Sequence, residues 1–114
     1  MTNDNKTIVA ALNKILPTHY EMVLHSGLAT PCISYMELTN YVEQQGDTLA
    51  FGRIQYQIKV WGRDLEEIVA YSGAVNAAMR LLGYKRISSG ELYDNNSTMI
   101  QKIMTFEAMT KEEY

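Results

Sequence analysis

Two stretches of the chain repeat apolar residues with the spacing of an amphipathic helix. The first stretch predicts a short N-terminal helix over about residues 5–16. Pro17 would end this helix, because proline lacks the amide hydrogen that a continuing helix needs. The repeating positions are Ile8, Val9, Leu12, Ile15 and Leu16.

The second helical stretch is longer and has signals at both ends. Asp64 stands where a side chain can cap the first free amides, and Gly83 can adopt the left-handed conformation that ends many helices. The predicted helix would be about 30 Å long, enough to cover one face of a sheet. Its apolar positions are Leu65, Ile68, Val69, Val75, Met79 and Leu82.

Strict alternation of apolar and polar residues predicts one strand ahead of that helix. A period of two sends one set of side chains to the core and the other set to water or to a partner. The apolar set is Ile54, Tyr56, Ile58 and Val60; the polar set is Arg53, Gln55, Gln57 and Lys59, followed by Trp61.

Shorter apolar runs predict four further strands, over residues 20–25, 32–38, 84–93 and 99–109. Residues 39–50 combine polar residues with Gly46 and follow neither period. We therefore expect a long, mobile connection between strands at residues 39–50.

The predicted order is one helix, three strands, one helix and two strands. Because strands follow strands rather than alternate with helices, this order favours an α+β fold. We expect a mostly antiparallel β-sheet with one long helix packed on it and a short N-terminal helix, in a single domain over residues 1–114. The predicted core includes Ile54, Ile58, Val69, Val75, Met79 and Leu82.

Composition and charge narrow the class of protein. A hydrophobic content of 46% with 20% charged residues is typical of a globular chain rather than a disordered one. Ten Lys and Arg against thirteen Asp and Glu give a net charge of −3, which disfavours direct binding to DNA or RNA. No apolar run is long enough to span a membrane or to form an export signal, so we expect neither.

Residues that could support catalysis do not form a recognisable motif. Cys32 could act as a nucleophile only with His19 or His25 within hydrogen-bond reach, and a thiol within an apolar run is usually a packing residue. Glu66 and Glu67 fall in the first turn of a predicted helix, where the helix dipole favours negative charge. We expect no enzyme, no cofactor and no metal; a small hydrolytic or ligand-binding domain that uses Cys32 and His25 is the alternative.

The aromatic residues favour an interaction surface instead. Several of the eight tyrosines fall at element ends or off the main apolar stripes, and tyrosine is enriched in protein interfaces. The polar side of the alternating strand ends at the only tryptophan, Trp61, a residue type that dominates interface hot spots. Two interpretations stay open. The polar side of this strand binds a partner, or it is merely solvated and Trp61 anchors the strand end against the core.

Five segments follow one another in a recognisable order. They are TPCISY at residues 30–35, RIQYQIKVW at 53–61, the helical stretch 65–82 closing with Gly83 and Tyr84, ELYD at 91–94 and KIMTF at 102–106. This order resembles the phage tail terminator or tail completion family, small proteins that cap the end of a tail tube. The resemblance covers residues 8–108, nearly the whole chain.

The resemblance implies a subunit that forms a ring, expected to be a hexamer, on the last ring of tail tube protein. The ring would stop tube polymerisation and offer a docking surface to the head connector. The implied partners are other copies of this chain, tail tube protein and head–tail connector or neck proteins, while DNA only passes through the lumen. The expected location is the tail or neck of a virion assembled in the bacterial cytoplasm.

The resemblance implies no catalytic residue, cofactor or membrane contact. A head-completion or connector protein of the same neck region is the alternative role. Local chemistry, rather than the resemblance, selects the residues expected to contact a neighbouring subunit or the tube. They are Tyr41, Val42, Glu43, Gln44, Gln45 and Asp47 in the expected loop, and Arg53, Gln55, Gln57, Lys59 and Trp61 on the alternating strand.

Overall fold

The computed structural model describes residues 4–20, 30–45, 49–94 and 99–113. Within these ranges, two helices and five strands follow one another in the predicted order. Their bounds are α1 Asp4–Asn13, β1 Thr18–Tyr20, β2 Cys32–Gln45, β3 Leu49–Gly62, α2 Leu65–Leu81, β4 Lys85–Asp94 and β5 Met99–Glu113.

The five strands form one sheet in the order β1-β2-β3-β5-β4. The pairs β2–β3, β3–β5 and β4–β5 are antiparallel, and β1 runs parallel to β2. The predicted fold class is therefore confirmed: α+β, with a mostly antiparallel sheet, one longer helix and a short N-terminal helix. The strand predicted over residues 20–25 begins earlier, at Thr18, and residues 21–25 lie outside the described residues.

The long mobile connection predicted over residues 39–50 is wrong. Residues 39–45 continue β2, residues 49 and 50 begin β3, and the two strands pair from Thr39 opposite Gln55 to Gln45 opposite Leu49. Backbone hydrogen bonds between the two strands form this hairpin, and they require no alternation of side chains. Of the predicted connection, residues 46–48 lie outside the described residues.

Both helices pack on the same face of the sheet, because residues from both belong to one buried cluster with the sheet. The alternation in β3 is confirmed: the apolar set faces the helices and is buried. The cluster joins Ile8, Leu12 and Leu16; Ile33; Ile54, Tyr56, Ile58 and Val60; Ile68, Val75 and Met79; Tyr84; and Met104 and Phe106. Neither of the described helices is long and apolar enough to cross a membrane.

The predicted ends of the long helix are confirmed. The carboxylate of Asp64 accepts a hydrogen bond of 3.1 Å from the backbone amide of Glu66, which satisfies one of the free donors of the first turn. At the other end, Gly83 has a φ of 93°, a conformation that residues with a Cβ rarely adopt.

Two predicted core positions, one on α2 and one at its C-cap, are wrong in full and in part, respectively. Val69 is 53% exposed, and Leu82 is half-buried. The buried side of α2 takes Ile68, Ser72, Val75 and Met79. Val69 lies about 100° around the helix from Ile68, outside the arc that meets the sheet. Its exposure shows that apolar residues cover a wider arc of α2 than the sheet can bury.

Candidate interaction surface

The polar side of β3 lies on the sheet face opposite the helices. We call its described side chains, Gln55, Gln57, Lys59 and Trp61, the β3 row. Each of the four is half-buried, while their neighbours along the strand point into the core. The row therefore lies on the open face of the sheet, where a partner could contact it.

Trp61 makes two contacts within this face. Its indole Nε1 donates a hydrogen bond of 2.8 Å to Oγ of Ser34 on β2, and the Nζ of Lys59 lies 5.8 Å from the centre of its ring. A cation at that distance is attracted to the face of an indole. The two side chains at the end of the row thus hold each other in place, and Trp61 also ties β3 to β2.

Strands β2 and β5 flank the row with a mixture of polar and apolar residues. Gln57 lies between Met36 and Thr105, and Lys59 lies between Ser34 and Ile103. Met36, Thr105 and Ile103 are half-buried. An apolar surface interrupted by amide, hydroxyl and ammonium groups is typical of a protein interface.

The β3 row continues into a three-stranded extension of the sheet, which we call the arm. It consists of residues 41–45 of β2, 49–53 of β3 and 109–113 of β5. β3 has 14 residues and would be about 46 Å long, whereas the 17 residues of α2 span about 25 Å, so one helix covers only part of it.

The arm brings together residues that the sequence analysis assigned to a loop and to a strand. Tyr41 pairs with Arg53, Val42 with Gly52 and Glu43 with Phe51, and the pairing continues through Gln44 and Gln45. The predicted contact residues of β2 and β3 thus lie on adjacent strands and continue into the β3 row. The remaining predicted contact residue, Asp47, lies outside the described residues.

The structure does not support nucleophilic catalysis by Cys32. The residue is only 1% exposed, and burial raises the pKa of its thiol above the ordinary value of 9.0, which disfavours the reactive thiolate. His19 pairs in register with Ser34, and His25 lies outside the described residues. Across the described ranges, no group of three or more His, Cys, Asp or Glu side chains could hold a metal ion.

The sequence analysis missed the residues that border the β3 row. Ser34, which accepts the Trp61 hydrogen bond, and Ile103 and Thr105 of β5 lie beside the row only because of the strand order. Nothing in the sequence near these positions signals that neighbourhood, since the pairing partners are separated by tens of residues.

No protein-family model matches the sequence, and no curated protein matches it. A solved structure similar to this chain is a chain of the "Virion of native gene transfer agent (GTA) particle". The two share 15% sequence identity with a TM-score of 0.65, and the match covers 92% of this chain and 84% of the other. This chain therefore shares its fold with a chain of that virion over nearly its whole length.

Proposed function

We propose that this chain is a structural protein of a virion that caps the phage tail tube as a ring, expected to be a hexamer. The ring stops tube polymerisation and offers the docking surface for the head connector. The observation that carries this proposal is the match of 92% of the chain to a chain of a gene transfer agent virion. The resemblance of the sequence segments to tail terminator proteins supports the finer role at the tail end.

A cyclic ring requires two different surfaces on each subunit, because each copy contacts its two neighbours through different patches. The β3 row and the arm supply one such surface. Lys59 and Trp61 are its expected anchors, since a cation stacked on an indole is a rigid, amphipathic contact. The arm can extend towards an adjacent subunit or the tube.

A structural role fits the chemistry of the described residues better than an enzymatic one. The buried thiol of Cys32 has a raised pKa, which argues against the hydrolytic alternative. The net charge of −3 suits a ring whose lumen lets DNA slide without binding it. The proposed partners are other copies of this chain, tail tube protein and connector or neck proteins, and the proposed location is the virion tail or neck.

The capping role is tested by electron microscopy of particles from the source phage or prophage. Particles are compared after deletion of this gene and after its complementation. We expect overlong or ragged tails detached from filled heads after deletion, and tails of uniform length after complementation. Tails of normal length that fail to join heads would overturn the capping role and identify a head-completion or connector protein. Normal virions would overturn the virion role altogether.

Complementation with point variants tests the surface. We expect Lys59→Glu to leave tails overlong, because it reverses the charge stacked on Trp61. Lys14→Glu is the matched control, since it makes the same charge change at an exposed residue just past the end of α1. If Lys59→Glu folds normally and restores tail length as well as Lys14→Glu does, the β3 row is not the contact surface.

A further inference from the structure

The outer side of α2 exposes large apolar side chains that nothing among the described residues covers. Leu81 is 89% exposed, Val69 is 53% exposed and Leu65 is 49% exposed. At about 100° per residue, Val69 and Leu81 lie on either side of the outer face of α2, and Leu65 lies further around the helix. A single exposed apolar residue is ordinary, whereas apolar residues that border one helix face on both sides mark a contact with another protein.

A line of exposed residues runs along α2 between the positions of Val69 and Leu81. Positions 66, 70, 73, 77 and 80 alternate in steps of four and three, the spacing that keeps residues on one face of a helix. All five are exposed. They are Glu66, Ala70, Gly73, Ala77 and Arg80, with small residues in the centre and opposite charges at the ends.

Gly73 has no evident role in the isolated chain. A glycine weakens the interior of a helix relative to alanine, and a Cβ built at Gly73 would meet nothing within 4 Å. Its φ is not in the left-handed region, so the backbone does not require glycine either. A second backbone that approaches the helix closely at this point would explain the missing side chain.

We propose that α2 packs antiparallel against α2 of a second copy of this chain, about a two-fold axis near Gly73. Glu66 and Arg80 each lie seven residues from Gly73. In this arrangement Glu66 of each copy therefore faces Arg80 of the other. The contact brings together the two glycines and flanks them with Val69 and Leu81, which lose their exposure to water.

The charges of α2 identify a second copy as the occupant. An isologous contact must be self-complementary, because the same patch contributes from both sides. An acidic first turn and a basic last turn meet that condition only when the two helices run antiparallel. The antiparallel arrangement also places opposite ends of the two helix dipoles together.

This contact does not depend on the proposed role in the tail. It uses the helix side of the sheet and leaves the β3 row on the other side uncovered. The pairing is tested with purified protein, and the role in the tail is tested with particles from the gene deletion. A negative result in either experiment therefore leaves the other proposal standing.

Sedimentation equilibrium of the purified chain, from low micromolar to near-millimolar concentration, measures the pairing. We expect a monomer–dimer equilibrium that Glu66→Arg or Arg80→Glu weakens by at least about tenfold, because each places like charges opposite one another. The double variant Glu66→Arg/Arg80→Glu should restore the wild-type affinity to within about threefold. Glu67→Arg is the matched control, since it changes the same helix turn and net charge about 100° away from the contact line.

Three results would overturn the proposal: a monomer at every concentration, a dimer that Glu66→Arg leaves unchanged, or a double variant that associates no better than the single ones. Disulfide cross-linking gives an independent measurement. Oxidised Gly73→Cys should form covalent dimers that denaturing electrophoresis detects, whereas Ser88→Cys, at an exposed residue of β4, should remain monomeric. Equal cross-linking of both variants would also contradict the proposed axis.

Discussion

The indole Nε1 of Trp61 donates a hydrogen bond of 2.8 Å to Oγ of Ser34, 27 positions earlier in the chain. Because Trp61 pairs with Cys32 and Ser34 pairs with Lys59, the bond crosses diagonally between β3 and β2. Trp61 does anchor the strand end, but on the open face of the sheet rather than against the core under the helices. It can therefore hold β3 in place and still present the exposed part of its ring to a partner.

We expect Ser34→Ala to lower the free energy of unfolding by about 1–2 kcal/mol, because it removes the buried acceptor of a part-buried hydrogen bond and leaves the indole N–H without it. Trp61 is the only tryptophan, so its fluorescence reports on this site alone, and its emission should change in the folded variant. Ser88→Ala, at an exposed residue, is the control and should change neither stability nor emission. Equal unfolding curves for Ser34→Ala and the wild type would show that the bond contributes nothing to stability.

Two valines on α2 should respond very differently to truncation. Val75 is fully buried, so Val75→Ala should cost about 2 kcal/mol through lost burial and the cavity left behind. Val69 is 53% exposed, and Val69→Ala should change stability by less than about 0.5 kcal/mol in dilute monomeric protein. Urea unfolding at low concentration separates the two, and a larger loss for Val69→Ala would contradict the observed orientation of α2.

Ser72 is buried within α2, and its hydroxyl has no hydrogen-bond partner among the described residues. Replacing it by alanine removes an unsatisfied polar group and raises helix propensity. We therefore expect Ser72→Ala to raise the free energy of unfolding by about 0.5–1 kcal/mol. Thermal unfolding measures this effect, and a lower midpoint for the variant would indicate that the hydroxyl does have a partner.

The left-handed glycine after α2 gives a further prediction. Gly83→Ala should cost about 1 kcal/mol, because a Cβ disfavours a φ of 93°. Gly90 lies on β4, and a Cβ there would meet nothing within 4 Å. Gly90→Ala is thus the matched control and should stay within about 0.5 kcal/mol of the wild type in chemical denaturation. Equal costs at both positions would mean that backbone conformation is not the cause.

Burial of Cys32 predicts how stability changes at high pH. Its pKa in the folded chain is raised above the ordinary value of 9.0, so the unfolded chain loses this proton at a lower pH than the folded one does. The contribution of Cys32 to stability is therefore fully present below pH 9 and falls as the pH rises beyond it. Unfolding free energies of the wild type and Cys32→Ala are compared from neutral pH to about pH 10.5. The difference between the two should shrink above pH 9, because only the wild type loses this contribution.

Thiol reactivity tests the same burial without changing the sequence. Alkylation of the folded chain at neutral pH should be much slower than alkylation of the chain in denaturant, because the thiolate is disfavoured and the sulfur is covered. Rapid modification of the folded chain would contradict the buried position of Cys32 and reopen the nucleophilic alternative.

The sequence by itself determined the elements whose signals are local. The apolar residues of β3 alternate because one face of that strand is buried, and Asp64 and Gly83 mark the ends of α2 through side-chain capping and a left-handed backbone. The order of these elements was sufficient for the fold class, since consecutive strands favour antiparallel pairing.

Only the tertiary structure decided which of these elements meet. Residues 39–45 became strand because residues 49–55 pair with them, and β5 reached the side of β3 opposite β2 because of the strand order. Val69 belongs to an apolar stripe, yet it lies outside the arc of α2 that packs on the sheet, which takes Ile68, Val75 and Met79. Hydrogen bonds such as that of Trp61 to Ser34, and the continuity of the β3 row with the arm, depend on strand register. Register is a non-local property: it follows from pairing between distant segments, and the period within each segment does not encode it.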